Sequence, residues 1–340
     1  MQVVASSNLA APTNFRFSAR VFRLALVAFL VLAAAAQAQS LPQPGKPLRI
    51  VVGFAAGGGT DIQARIVAPK LGEALGVPVI VENKPGASTM VAAAEVARAA
   101  PDGHTLLYTF NGTFAQNPFT QASVPYDPFR DFTPVSLGAR GSQILVLHTS
   151  IPAANVAELV AWARAHPGQL NIASFGAGTS SHIFAELLIR QSGVQMTHVP
   201  YKGTGDAVKD LLAGRVQLMF DAGPSAVQNV ATGRLRMLGI VAPARSPLLP
   251  LVPTLAEQGY RGIDLVGWLG FYAPANLPPD TLRALNAALA RALAAPEVKD
   301  GFAKGIYEAV SSSPEELAAL TRQSYEQWGK IIRELGIKPQ

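Results

Sequence analysis

Three segments rich in small residues carry hydroxyl side chains where a strand would pass into a helix. They are residues 55–61 (AAGGGTD), 176–182 (GAGTSSH) and 221–226 (DAGPSA). The first amides of a helix have no partner inside the helix, and the helix dipole adds partial positive charge there. Such an end can bind an anion, and glycine lets the backbone approach it closely. The pattern therefore predicts an anion site made of main-chain amides and hydroxyl groups.

The type of anion follows from patterns that the chain lacks. No G-x-x-x-x-G-K-[ST] run occurs, and the first segment has no G-x-G-x-x-G spacing, so a carboxylate is favoured over a phosphate. A turn of this kind with a Ser or Thr cap is also ordinary helix-start chemistry. Three such segments in one chain favour a ligand site, because ligands of open α/β sheets bind at the carboxyl ends of the strands.

Two other kinds of side chain lie near these segments. Asp221 ends a strand, where it could accept a hydrogen bond from a ligand ammonium group or cap the next helix. Phe54 and Phe110 end strands at the same edge, where they could form a pocket wall or belong to the core.

Catalytic patterns are mostly missing. None of the five histidines has the H-E-x-x-H or another metal-binding spacing, and no G-x-S-x-G elbow occurs. Ser181 followed by His182 leaves a secreted serine hydrolase as an alternative. The chain has no cysteine, which excludes disulfides, Cys-ligated zinc and a thiolate nucleophile. We expect no enzymatic activity, no cofactor and no metal.

Strands and helices alternate along the chain, which predicts an α/β fold with two halves. Each half would be a mostly parallel sheet flanked by helices, with hinge regions near 138–143 and 260–268. The two C-terminal helices, at 279–294 and 314–335, should pack on the first half. We predict strands at 48–54, 77–81, 105–110, 135–137, 144–148, 170–174, 196–200, 216–221, 235–241 and 268–273. We predict the other helices at 60–76, 88–100, 153–165, 182–191, 207–213 and 224–231, and an irregular stretch at 111–132.

The N-terminus has the pattern of a secretory signal. Three arginines precede the apolar run 24–36, which ends in Ala36-Gln37-Ala38, a small-x-small cleavage site. The run is too short for a membrane span, although a short anchor is the alternative. We therefore predict a cleaved signal peptide at 1–38, a leader at 39–47 and a periplasmic location. Apolar residues make up 49% of the chain, which excludes disorder. Without the three arginines of the signal segment, the formal charge falls from +6 to +3, which is too small to indicate a nucleic-acid partner.

Several unlinked motifs resemble one family. They are IVVGFAAGGGTD (50–61), VENKPGA (81–87), APDGHTLL (100–107), PYDP (125–128), HVPYKG (198–203), LMFD (218–221) and VPT (252–254). In this order they resemble the Bug family, the substrate-binding proteins of tripartite tricarboxylate transporters. The resemblance implies a type II-like periplasmic binding fold, with domain 1 at 48–140 plus 264–340 and domain 2 at 141–263. It also implies a monomer that closes on a small carboxylate and delivers it to membrane permease subunits.

Loop chemistry and resemblance together predict the ligand-binding residues. In the family pattern, 56–60 would match the first binding loop and 178–181 the second-domain loop. This chain departs from the family at 87–90 (ASTM) and 222–223 (AG), which we expect to alter ligand choice. The alternative function is a ligand-sensing receptor for a membrane signalling partner. The predicted set is Phe54, Ala56, Gly57, Gly58, Gly59, Thr60, Asn111, Gly178, Thr179, Ser180, Ser181 and Asp221.

Overall fold

The computed structural model describes residues 45–201 and 203–339. The predicted signal peptide and most of the predicted leader lie outside these ranges. Within them, no helix has both the length and the apolarity that crossing a membrane requires.

Strands and helices alternate as the sequence predicts. The strands are β1 (Leu48–Val52), β2 (Val79–Asn83), β3 (Thr105–Phe110), β4 (Phe132–Gly141), β5 (Gln143–His148), β6 (Leu170–Ser174), β7 (Met196–Pro200), β8 (Leu218–Ala222), β9 (Leu235–Ile240), β10 (Gly267–Pro274) and β11 (Tyr307–Ala309). The helices are α1 (Gly59–Leu75), α2 (Met90–Ala97), α3 (Gly112–Ala115), α4 (Asn117–Thr120), α5 (Val156–Ala165), α6 (Ser180–Ser192), α7 (Thr204–Leu212), α8 (Gly223–Val230), α9 (Pro279–Ala294), α10 (Pro296–Ala303) and α11 (Pro314–Leu335).

The strands form two sheets, which confirms the α/β fold class. The first sheet has the order β11-β4-β10-β3-β1-β2, and the second has the order β7-β6-β8-β5-β9. In the first sheet β1 to β4 run in one direction while β10 and β11 run against them. In the second sheet only β5 runs against the other four. Each sheet is therefore mostly parallel in direction, with antiparallel strands inserted where the chain crosses between the sheets.

Two predictions about local structure are wrong. The stretch 111–132 was expected to be irregular, but it contains the short helices α3 and α4. Helix α10 and strand β11 were not expected at all. Both are brief, and the Pro and Gly residues around them resemble loop composition, so neither has a clear hydrophobic period.

The two chain crossings lie side by side. A single residue, Ser142, separates β4 of the first sheet from β5 of the second. The returning strand β10 begins at Gly267, which pairs with Gly141. Gln143, the first residue of β5, pairs with Ala222 at the carboxyl end of β8. Since β4 also ends at its carboxyl edge, this crossing brings the carboxyl edges of the two sheets next to each other.

The last helix contacts the cores of both sheets. Leu317 near its start packs with Trp268 and Tyr272 of the first sheet. Trp328 and Ile332, three and four turns later, pack in the apolar cluster of the second sheet. Helices α9 and α11 both pack on the first half as expected, but α11 also packs on the second half, which was not expected. Helix α11 can cover both cores because it is amphipathic and long enough to extend from one core to the other.

Candidate ligand site

Two loops at the carboxyl edges, together with the helix starts that follow them, carry ten of the twelve predicted site residues. The first loop (residues 53–58) follows β1, and the second loop (residues 175–179) follows β6. Positions 55–58 of the first loop are exposed. Thr179 of the second loop is buried, as are Ser180 and Ser181 at the start of α6.

Asp61, in the first turn of α1, holds the first loop in place. Its carboxylate accepts hydrogen bonds from the Gly57 amide at 2.8 Å and from the Asn83 side chain at 2.9 Å. Burial favours the protonated acid, but these bonds and the Arg65 guanidinium outweigh it and lower the pKa of Asp61. Asn83 also donates to the Phe54 carbonyl at 3.0 Å. The Gly57 amide, predicted as a ligand donor, is therefore already bonded inside the protein.

His182 holds the second loop in a similar way. The Gly178 amide donates to His182 Nδ1 at 3.0 Å. The Thr179 hydroxyl donates to the Gly176 carbonyl at 2.7 Å, and the Ser181 hydroxyl donates to the Phe220 carbonyl at 2.7 Å. A hydroxyl has one proton, so Thr179 and Ser181 are not donors to a ligand in this conformation.

The same contacts argue against the hydrolase alternative. A serine nucleophile needs a hydrogen bond to its general base. Ser181 is completely buried and bonds a main-chain carbonyl, while His182 Nδ1 accepts from Gly178. The two side chains therefore do not form a nucleophile and base pair.

The helix starts at this edge lack side-chain caps. The N-cap residues of α1, α6 and α8 are Gly58, Thr179 and Ala222, and none makes a side-chain capping bond. By contrast, Asn155 caps α5 and Ser313 caps α11. The alternative in which the Ser and Thr residues are ordinary caps is thus wrong here. The first-turn amides remain without a partner inside these helices.

Thr60 and Gln63 have the three-residue spacing of a capping box, but they do not form one. Gln63 points into the core, where its side-chain oxygen accepts a hydrogen bond from the Tyr108 hydroxyl at 2.8 Å. Tyr108 is fully buried, so its hydroxyl needs a partner and draws Gln63 away from the helix end.

Aromatic rings stand beside the first loop. Phe54 and Phe110 are in contact, with ring centroids 5.4 Å apart. Asn111, directly after Phe110, is buried, and its main-chain amide donates to the Trp268 carbonyl at 2.9 Å. The end of β3 is therefore tied to the returning strand β10.

Asp221 is a buried acid at the end of β8. Its Oδ1 accepts from the Ala222 amide at 2.8 Å, whereas its Oδ2 has no partner among the described residues. Burial raises the pKa of Asp221 to about 7. Asp221 lies one residue before the N-cap of α8, so it is not the cap that one interpretation expected.

Two glutamines that sequence reasoning missed are also incompletely bonded. Gln116 is 1% exposed, and neither polar atom of its side chain has a partner among the described residues. Gln143 donates to the Ser180 hydroxyl at 2.5 Å, but its side-chain oxygen has no partner there. Nothing in the local sequence marks them, because their burial depends on contacts between distant elements.

The second half of the chain contacts the first at this edge. A Cβ atom added to Gly178 would lie 2.5 Å from Cβ of Thr120 in α4. A Cβ atom added to Gly223 would lie 2.5 Å from the Gly305 carbonyl oxygen. Both glycines therefore allow close approach between elements that belong to different sheets.

His182, Glu186 and His198 are close enough to suggest a metal site. Their candidate ligand atoms lie within 4.8 Å of one another. The two imidazole rings, however, are stacked, with centroids 4.0 Å apart and planes 12° from parallel. One ion cannot lie near the planes of two such rings, and His182 Nδ1 is occupied by the Gly178 amide. The geometry favours a packed histidine pair over a metal site.

Comparison with known proteins identifies the family. The pattern of the tripartite tricarboxylate transporter family receptor matches residues 63–337. Protein BugT of Bordetella pertussis is 32% identical over 296 residues, which are 87% of this chain and 91% of BugT. A solved structure titled R. palustris Rpa4515 with adipate has a TM-score of 0.82 at 32% identity and covers 87% of this chain and 99% of that one. MatC from Rhodopseudomonas palustris with bound malate has a TM-score of 0.77 at 33% identity, and the match covers 85% of this chain and 100% of that one.

These matches extend over most of the chain and agree with the two-sheet fold. The family consists of periplasmic solute-binding receptors and not of enzymes, so the absence of a catalytic pair at Ser181 is consistent with it. The chain belongs to the Bug family of tripartite tricarboxylate transporter receptors.

Proposed function

We propose that this protein binds a small organic carboxylate between its two sheets and delivers it to the membrane permease of a tripartite transporter. The observation that carries the proposal is the set of uncapped first turns of α1, α6 and α8 at the carboxyl edges. Two related proteins, Rpa4515 with adipate and MatC with bound malate, support a carboxylate as the ligand class.

Main-chain amides and hydroxyl groups can supply much of the binding free energy of such a site without an arginine. A hydrogen bond to a charged group contributes about 1.5–3 kcal/mol net. Four bonds from first-turn amides and the hydroxyls of Thr60 and Ser180 would contribute about 6–12 kcal/mol before the cost of association. Micromolar affinity requires about 8 kcal/mol net of the association cost of about 4 kcal/mol or more. Four bonds at the upper end of this range would therefore bring the site to micromolar affinity.

Closure would couple binding to a change of shape. The crossings at Ser142 and Gly267 are adjacent, so rotation of one sheet against the other needs few backbone changes. A ligand that contacts both sheets stabilises the closed state by its additional contacts there. We place the hinges at 138–143 and 260–268, between domain 1 (48–140 plus 264–340) and domain 2 (141–263).

Delivery requires export and a membrane partner. We propose that residues 1–38 are a cleaved signal peptide, and that the protein acts in the periplasm as a monomer. A sensing receptor with a signalling partner is the alternative. Crosslinking in membranes, followed by identification of the captured protein, separates the two: permease subunits support transport, and a sensor kinase supports signalling.

Calorimetry on residues 39–340 tests the ligand class. The panel consists of dicarboxylates, amino acids and aromatic acids, with thermal melting as a second measurement. We expect at least one carboxylate to bind with micromolar or tighter affinity. Flat heats and unchanged melting for the whole panel would contradict the proposal.

Two variants test the site. Thr60→Ala and Ser180→Ala should each weaken binding about tenfold, because each removes a hydroxyl beside an uncapped helix start. Asn155→Ala is the control, since it removes a helix cap outside the site; it should lower stability and leave affinity unchanged. Unchanged affinity in both test variants would reject these site residues.

A further inference from the structure

Gln116 lies at the junction of α3 and α4 and is an unusual buried residue. Its side-chain nitrogen and oxygen are both buried and both lack a hydrogen-bond partner among the described residues. A buried amide without partners is costly, and native proteins rarely retain one without a reason. The side chain is therefore suited to a partner that the protein itself does not supply.

The polar side chains of Thr113, Asn117 and Thr120 are bonded. The Asn117 amide donates to the Ser88 carbonyl at 2.8 Å, and the Thr113 hydroxyl contacts the Thr109 hydroxyl at 2.6 Å. Thr120 donates to the main-chain carbonyl of Gln116 at 3.1 Å. Among these neighbouring polar side chains, only that of Gln116 lacks a partner for both of its polar atoms in the described part of the chain.

The position of Gln116 joins the two halves of the candidate site. Its side-chain oxygen would lie 2.6 Å from a Cβ atom on Gly112, and the Phe110 ring occupies the same space. Phe110 contacts Phe54, which follows β1. Thr120, one turn after Gln116, touches Gly178 of the second loop. Gln116 therefore lies beside the aromatic pair and one helical turn before the residue that contacts the second loop.

A second polar group at this edge has a similar need. Asp221 Oδ2 is buried and has no partner among the described residues, and it can only accept when ionised. Gln116 needs both a donor and an acceptor. A bare carboxylate offers acceptors alone, so it cannot satisfy the Gln116 oxygen.

We propose that Gln116 is a specificity-determining residue that selects carboxylates bearing a hydroxyl or carboxamide group over bare carboxylates. The group donates to the Gln116 oxygen and accepts from the Gln116 nitrogen, while the carboxylate itself is bound by the uncapped helix starts. This inference rests on the proposed carboxylate-binding function and adds the chemistry of the second ligand group.

Matched ligand pairs test the selection. Calorimetry compares malate with succinate, 2-hydroxyglutarate with glutarate, and 4-hydroxybenzoate with benzoate. For at least one pair, the wild-type protein should bind the hydroxylated member about tenfold more tightly, which is the effect of one satisfied buried polar group. Equal affinity within every pair that binds, or preference for the bare acid, would overturn the inference.

Substitution then assigns the preference to Gln116. Gln116→Met removes both polar atoms from an unbranched side chain of similar length, and Gln116→Leu is a second version. Each should abolish the preference by weakening only the hydroxylated ligand. Each should also leave the melting temperature of the ligand-free protein equal or higher, because no bond is lost.

A purely structural role for Gln116 predicts a different result, namely a lower melting temperature and equal weakening of both members of a pair. Gln217→Leu is the matched control, because Gln217 accepts from the Asn171 amide at 2.9 Å and donates to the Gly214 carbonyl at 2.9 Å. It should lower the melting temperature without changing the preference. If no carboxylate binds the wild-type protein, the proposed function fails together with the inference. If carboxylates bind and the variants keep the preference, only the inference fails.

Discussion

The buried acid Asp221 makes stability depend on pH in a predictable direction. Burial raises its pKa from an ordinary value of 3.8 to about 7 in the folded protein. Below about pH 4 both the folded and the unfolded states carry the proton, so no charge on Asp221 lowers the free energy of unfolding. Between the two pKa values only the folded state keeps the proton, and stability falls as the pH rises. Above about pH 7 the full cost of the buried charge is present.

The size of this cost follows from the two pKa values. Each pKa unit corresponds to about 1.4 kcal/mol, so the buried carboxylate lowers the free energy of unfolding by about 4 kcal/mol at alkaline pH. Asp221→Asn removes the titration. Its amide nitrogen brings a new unpaired donor, but that cost does not depend on pH.

The difference in unfolding free energy between Asp221→Asn and the wild type is therefore the informative quantity. It should increase by about 4 kcal/mol between about pH 4 and about pH 8.5, with most of the change below pH 7. Urea denaturation followed by linear extrapolation measures it at each pH. Asp280→Asn, at a highly exposed position, is the control and should change the difference by less than about 0.5 kcal/mol.

A constant difference across the pH range would refute the reasoning. It would mean that Asp221 keeps an ordinary pKa in the folded protein, for example through water that reaches Oδ2. The same experiment repeated with a bound carboxylate is then informative. A ligand that donates a hydrogen bond to Oδ2 stabilises the charged form and should reduce the pH dependence.

Two further predictions concern other parts of the fold. Burial, together with the neighbouring His182, lowers the pKa of His198 to about 4, so the folded protein should lose stability as the pH falls from about 6.5 towards 4. In His198→Gln this loss should shrink. An unchanged loss, measured by urea denaturation at acid pH, would contradict the prediction. Trp328→Ala should lower the free energy of unfolding by about 3–5 kcal/mol, because the indole of α11 packs on Phe184 of the second half; a loss below about 1 kcal/mol would show that α11 does not hold the two cores together.

Much of the fold could be predicted from local patterns. Short apolar runs bounded by turn residues, such as those of β1 and β3, predict buried strands, and the amphipathic period of α9 and α11 indicates their bounds. The positions of the small-residue loops between strands and helices follow from the same alternation. Short elements without a hydrophobic period, such as α10 and β11, could not be found in this way.

The chemistry of the loops was less predictable. The sequence indicates which residues stand at the helix starts, but it does not indicate which of their donors are free. Asp61 accepts a hydrogen bond from the Gly57 amide, and His182 accepts one from the Gly178 amide. Two donors that the loop pattern assigns to a ligand are therefore bonded inside the protein. Thr60 and Ser180 have the same side-chain chemistry as an ordinary cap, and only the structure shows the missing caps.

The amino-acid sequence by itself determined the fold class, the order of the elements and the loops that meet at the carboxyl edges, because hydrophobic period and turn chemistry are properties of neighbouring residues. Tertiary structure alone decided that α11 packs on both cores, that Asp221 is buried and that the Gln116 amide has no partner among the described residues. Burial and hydrogen-bond partners depend on residues brought together from distant parts of the chain, and no local pattern records which residues those are.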